Sequence, residues 1–238
     1  MRNLLLAVGF MLIALSIQGQ NLRGAWEHYH TTDQGQEIHQ VVIFADGYQV
    51  LTIYDAKTGA FIHTNGGLWS LKGNTLTETV EFNSDNPEAV GNSISFDIRL
   101  TDKELQIVGD DRVFTRIDDG TPGALNGAWL MSGRKRNGEM QERDTTRPRK
   151  TMKILSGTRF QWIAYNTETK QFMATGGGSY TTVDGKYTEN IEFFSRDVAR
   201  VGAALAFDFE LIDGHWHHSG FSSKGDPLYE VWSVRNPQ

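Results

Sequence analysis

The chain of 238 residues has no cysteine, a formal charge of -6, and 39% hydrophobic and 11% aromatic residues. That composition is too apolar for a disordered chain and excludes disulfides, thiolate catalysis and cysteine-held metals. The acidic balance argues against a general nucleic-acid binder, which carries a basic surplus.

At the start of the chain, Arg2 precedes an almost unbroken apolar run from Leu4 to Ile17, followed by Gln18, Gly19 and Gln20. The run is shorter than the roughly 20 residues a helix needs to span a bilayer, so residues 1–19 read as a cleavable signal peptide. The expectation is an exported protein, periplasmic or extracellular, with no membrane span after cleavage.

The rest of the chain is one pattern written twice. Leu22-Arg23-Gly24-Ala25-Trp26 returns as Leu125-Asn126-Gly127-Ala128-Trp129, and residues 41–109 align without a gap with residues 152–220. Thr64, Gly66 and Gly67 match Thr175, Gly177 and Gly178; Glu78 matches Glu189; Glu81 and Phe82 match Glu192 and Phe193. So long a period signifies two copies of a domain rather than a solenoid. The boundaries expected are 20–118 for the first domain, 119–124 for a polar linker and 125–238 for the second. The two are expected to unfold nearly independently, with proteases cutting first in the linker or within 134–150.

Inside each copy the hydrophobic period is two. Ile94, Phe96, Ile98 and Leu100 alternate with Ser95, Asp97 and Arg99, and Leu205, Phe207, Phe209 and Leu211 repeat the alternation. Turn signals such as Lys72-Gly73-Asn74-Thr75 and Val183-Asp184-Gly185-Lys186 separate the runs at hairpin distance. About eight short strands per copy and no helical spacing predict an all-β protein of two tandem antiparallel up-and-down barrels. An eight-stranded barrel encloses room for side chains or one small ligand. The paired glycines at 66–67 and 177–178 predict a bulge in one strand of each copy; Gly176-Gly177-Gly178 lacks the lysine and helix of a phosphate loop.

The Gly-x-Trp of the first strand, with an all-antiparallel domain behind it, resembles the lipocalins and the wider calycin group. The second copy is similar to a lipocalin-like domain family of secreted bacterial proteins. This likeness is carried by Thr158-Arg159-Phe160-Gln161-Trp162, Gly176-Gly177-Gly178-Ser179-Tyr180, Tyr187-Thr188-Glu189, His215-Trp216-His217-His218-Ser219-Gly220 and Glu230-Val231-Trp232. The resemblance implies a barrel, with Trp26 and Trp129 closing its floor, and ligand binding.

Strand parity turns Glu78, Glu189 and His218 inward. Trp162 replaces Leu51, Tyr187 replaces Leu76 and Trp216 replaces Leu105, so the second copy has the more aromatic interior. The reading adopted is a non-enzymatic binding protein whose second barrel holds a small apolar or anionic molecule among Trp162, Tyr180, Tyr187, Glu189, Trp216, His218 and Trp232. Two alternatives stand beside it. In one, Glu189 and His218 meet inside the barrel as a general acid–base pair acting on a small or sugar-derived substrate. In the other, the barrels are filled and the role is structural. His28 and His30, like His215 and His217, make half of a zinc site with no third ligand marked by spacing, so no metal or cofactor is assigned. Arg134–Lys153 reads as a charged loop near the barrel mouth, able to attract an anion.

Overall fold

The structure is a computed structural model that describes residues 21–222 and 225–236; the expected signal peptide lies outside the described residues. Every period-two run becomes a strand. In the first copy these are β1 (Gly24–Thr31), β2 (Glu37–Phe44), β3 (Tyr48–Asp55), β4 (Phe61–Lys72), β5 (Thr75–Asn83), β6 (Ser93–Leu100), β7 (Glu104–Ile107) and β8 (Val113–Asp118). Each pairs antiparallel with the next, and β8 returns to β1 to close the barrel. The second copy runs through β9 (Gly127–Arg136), β10 (Glu139–Glu142), β11 (Arg149–Leu155), β12 (Arg159–Asn166), β13 (Gln171–Val183), β14 (Lys186–Phe194), β15 (Ala204–Ile212), β16 (His215–Phe221) and β17 (Pro227–Val234). Here β17 pairs with β9 to close eight strands, and β10 folds back on the far end of β9 as an extra hairpin arm. The fold is therefore all-β, two closed eight-stranded antiparallel barrels in tandem. The segment read as a charged loop at 134–153 is largely ordered strand, shared among β9, β10 and β11.

Two local devices recur in both copies. The register slips by one residue between Gly66 and Gly67, and again between Gly177 and Gly178. At Gly67 a Cβ atom would lie 2.0 Å from the Thr79 carbonyl oxygen, and at Gly178 2.1 Å from that of Asn190, so only glycine lets the neighbouring strand come so close. The floor tryptophans are buried, and each indole N–H donates to a carbonyl four residues back: Trp26 to Leu22 at 3.0 Å and Trp129 to Leu125 at 2.9 Å. The Arg116 guanidinium lies 3.9 Å over the Trp26 ring and seals the first floor from below.

The outer faces of the two barrels meet one another; Phe82 and Phe193, which plain alternation would turn inward with Glu78 and Glu189, join that face because the bulges at Gly66-Gly67 and Gly177-Gly178 shift the register. Ala25, Val41, Ile43, Val50, Tyr54 and Phe82 of the first copy pack into one core with Leu130, Met152, Ile154, Ile163, Tyr165 and Phe193 of the second. The contact is reciprocal. Tyr54 donates to Glu192 at 2.9 Å, and its counterpart Tyr165 donates to Glu81, the counterpart of Glu192, at 2.7 Å. Arg159 grips Glu192 through its two terminal guanidinium nitrogens at 2.8 and 2.5 Å, and Arg235 binds Glu81 at 2.8 Å. At the centre the buried Gln161 amide donates to both Thr64 and Thr175, each at 2.9 Å, and accepts from Thr52 at 2.5 Å. This is a local two-fold arrangement inside one chain. The end of β8 is tied to the second copy as well: the Asp118 carboxylate accepts from Ser156 at 2.8 Å and from the backbone N–H groups of Gly157 and Thr158 at 3.0 Å each. Buried polar pairs of this kind are lost if the barrels part, which opposes independent unfolding.

Candidate functional site: two cavities of unequal size

Because side chains alternate along a strand, each barrel has an inner lining, and in both copies that lining leaves a cavity. The second barrel's cavity is about 300 Å³ and is lined by Lys153, Trp162, Glu189, His218, Glu230 and Trp232 among others. Its chemical centre is Lys153 on β11, a position the sequence reading assigned to a solvated segment. The Lys153 ammonium donates to Glu189 at 2.8 Å, and both side chains are almost wholly buried. Three rings surround the same nitrogen, Trp216 at 4.8 Å, Tyr187 at 4.9 Å and Trp232 at 5.1 Å from their centroids. A carboxylate and a ring cage are what a buried ammonium requires, and here the chain supplies the ammonium itself.

His218 points inward as parity requires and is 2% exposed. Its ring faces Glu230 rather than Glu189: Nδ1 lies 3.5 Å from the Glu230 carboxylate, and neither ring nitrogen makes a hydrogen bond. Burial, and then the positive charge of Lys153, push its pKa below the ordinary histidine value. Burial raises the Glu230 carboxyl, but the neighbouring His218 ring and the Lys153 charge outweigh it and leave its pKa below the usual value. Glu230 also accepts from Trp232 at 3.2 Å. The expected Glu189–His218 pair is thus two pairs, Glu189 with Lys153 and His218 with Glu230. Neither Lys153 nor Glu230 was singled out by composition or spacing.

The other expected site residues divide between wall and floor. Trp162 and Trp232 line the second cavity. Tyr187 and Trp216 are fully buried beneath it, stacked edge to face at 5.0 Å, with the Tyr187 hydroxyl and the Trp216 indole N–H unpartnered. Tyr180 is a structural tie, donating to the Ser156 carbonyl at 2.6 Å. Its counterpart Trp69 donates at 2.9 Å to the carbonyl of Ala45, the counterpart of Ser156. The paired histidines of β16 are spoken for at the surface, His215 by Ser233 at 3.0 Å and His217 by Tyr229 at 2.8 Å. Among the described residues no group of three metal-ligating side chains converges.

The first barrel encloses more than twice that volume, about 710 Å³. Val42, Leu51, Leu76, Leu105 and Phe114 line it, with Phe96 and Ile98 from β6 and the single-turn helix Pro87–Ala89 beside it. Its charged groups are Glu78, Glu88 and Arg112. Arg112 is occupied by Asp110, with Nε 2.9 and 3.0 Å from the two carboxylate oxygens. Glu78 has no hydrogen-bond or ion-pair partner among the described residues, and burial alone pushes its carboxyl up to about 7. A third depression, about 440 Å³, lies outside the barrels and is lined by Arg143, Arg147, Arg149 and Lys150 together with Glu142 and Asp144.

Residues 124–235, the whole second barrel, match a family described as a domain of unknown function, DUF4488. No curated protein matches the chain.

Proposed function

We propose that the protein is a non-enzymatic binding protein that takes a small, mostly apolar molecule into a barrel, with the first barrel as its larger site. The carrying observation is the cavity of about 710 Å³ behind apolar walls, within the range of roughly 300–1,000 Å³ typical of ligand pockets. The second barrel keeps a smaller site beside Trp162, Glu189, His218 and Trp232, the place the aromatic residues first suggested. The basic depression at Arg143 and Arg149 is where an anion would be attracted. An acid–base enzyme has less in its favour, because Lys153 neutralises Glu189 and His218 is turned to Glu230. Export belongs to the same proposal, and amino-terminal sequencing of the mature protein checks it.

Binding is tested with the uncharged fluorophore N-phenyl-1-naphthylamine. Its emission should rise on mixing with the protein. Leu105→Trp, which installs the ring that the second copy carries as Trp216, should narrow the first cavity and weaken the rise. An unchanged signal in that variant would place binding elsewhere.

A further inference from the structure

Glu78 and Glu189 hold the same place in their barrels. Glu78 stands opposite Trp69 on β4 and Ile94 on β6; Glu189 stands opposite Tyr180 on β13 and Leu205 on β15. Their cationic partners do not match. Lys153 stands opposite Trp129 and Trp162, and the residue opposite Trp26 and Leu51 in the first copy is Val42. One inward glutamate therefore has an ammonium 2.8 Å away and the other faces open cavity.

We propose that the first barrel binds a protonated amine carrying an apolar body, with the ammonium on Glu78 where Lys153 reaches Glu189 in the second barrel. The proposal rests on the reading of that barrel as a binding cavity and names the class of molecule it takes. The lysine of the second copy is an ammonium on a four-carbon apolar stem, tethered to the wall. It shows what the shared glutamate accepts. Replacing that lysine by valine removes the tether and leaves the carboxylate. Leu76 and Leu105 stand where Tyr187 and Trp216 stand, and Phe114 pairs with Leu105 as Trp232 pairs with Trp216. The smaller side chains vacate volume for a ligand body.

The remaining charges favour a cation over an anion. Arg112 is engaged by Asp110 and the exposed Glu88 lies 3.5 Å from Lys170, which leaves Glu78 as the charge in the wall without a counter-ion among the described residues. A carboxylate ligand would meet Glu78 as a like charge. An uncharged ligand covering the half-buried glutamate would leave it unpaired, which costs more than pairing it. The raised carboxyl pKa is the signature of such an unpaired group, and an arriving ammonium reverses it.

The experiment compares octylamine, 1-octanol and octanoate on the full mature chain at pH 8, by displacement of N-phenyl-1-naphthylamine and directly by calorimetry. Octylamine should bind about tenfold or more tightly than octanol, as a charge-assisted hydrogen bond implies, and octanoate most weakly. Glu78→Gln, which keeps side-chain volume, should erase the amine's advantage over the alcohol in calorimetry. Val42→Lys should abolish amine binding by supplying the ammonium from the wall. Equal affinities for the amine and the alcohol in the native chain would overturn the proposal and leave the cavity reading intact. So would an amine preference that survives Glu78→Gln. Failure of the fluorophore and of all three ligands would remove the cavity reading and the proposal together.

Discussion

The first and second barrels are built on one strand plan with one bulge, one floor tryptophan and one inward glutamate, yet their interiors have diverged in opposite directions. The second interior is aromatic and charged: Tyr187, Trp216, Trp232, His218, Lys153 and Glu189 occupy it and leave about 300 Å³. The first has Leu76, Leu105, Phe114, Ile107 and Val42 at the matching positions and keeps about 710 Å³. Aromatic content in a barrel of fixed strand number is thus a measure of filling as much as of recognition, because rings inside a closed sheet take the volume a ligand would need.

The largest effect that would test this contrast is removal of the internal cation. Lys153→Met leaves Glu189 buried without a partner and should cost about 3–5 kcal/mol of stability, read from urea unfolding. Octylamine should recover part of that loss by entering the space the ammonium left. A cost below about 1 kcal/mol would show that the pair is not needed where it lies.

Somewhat smaller is the pH response of the first barrel. Between the ordinary carboxyl value of 4.5 and about 7, the folded protein keeps a proton on Glu78 that the unfolded chain has released. Stability should therefore fall as pH rises through that window, by about 3 kcal/mol at roughly 1.4 kcal/mol per unit. Glu78→Gln should remove the fall. The second barrel has the opposite sign. His218 is held below its ordinary value, so the unfolded chain takes up its proton first and stability is lost as pH falls through the folded value. His218→Gln should flatten that acidic limb and leave the Glu78 limb unchanged.

The smallest effect separates partners within the second barrel. A double-mutant cycle between Lys153→Met and Glu189→Gln should give a coupling of about 2 kcal/mol, and one between Glu189→Gln and His218→Leu a coupling below about 0.5 kcal/mol. A larger coupling in the second cycle would restore Glu189 and His218 as a direct pair.

Much of the scaffold was legible in the sequence because it depends on local rules. The period of two set the strands, the repeated Gly66-Gly67 and Gly177-Gly178 set the bulges, and parity placed Glu189 and His218 inside. The site was less legible for three physical reasons. Lys153 sits in a run rich in arginine and lysine, where a cation reads as solvated; only the closure of β11 between β9 and β12 takes it inside. Glu230 lies on β17, and its meeting with His218 follows from the pairing register of two strands. The interface escaped because parity distinguishes only the inside of a barrel from its outside. Tyr54, Glu81, Tyr165 and Glu192 are outward in that sense and yet meet across the two copies.

That reciprocal interface also bears on how the two copies can differ. Tyr54 on Glu192 and Tyr165 on Glu81 are the same contact made twice, as two identical subunits make it across a dimer axis. A single barrel carrying this face would be able to pair with its own copy. With both halves in one chain, each interior is free to differ from the other, while the shared face needs both halves. One half can set a lysine against its buried glutamate while the other keeps the glutamate open, and neither arrangement disturbs the contact that holds them together.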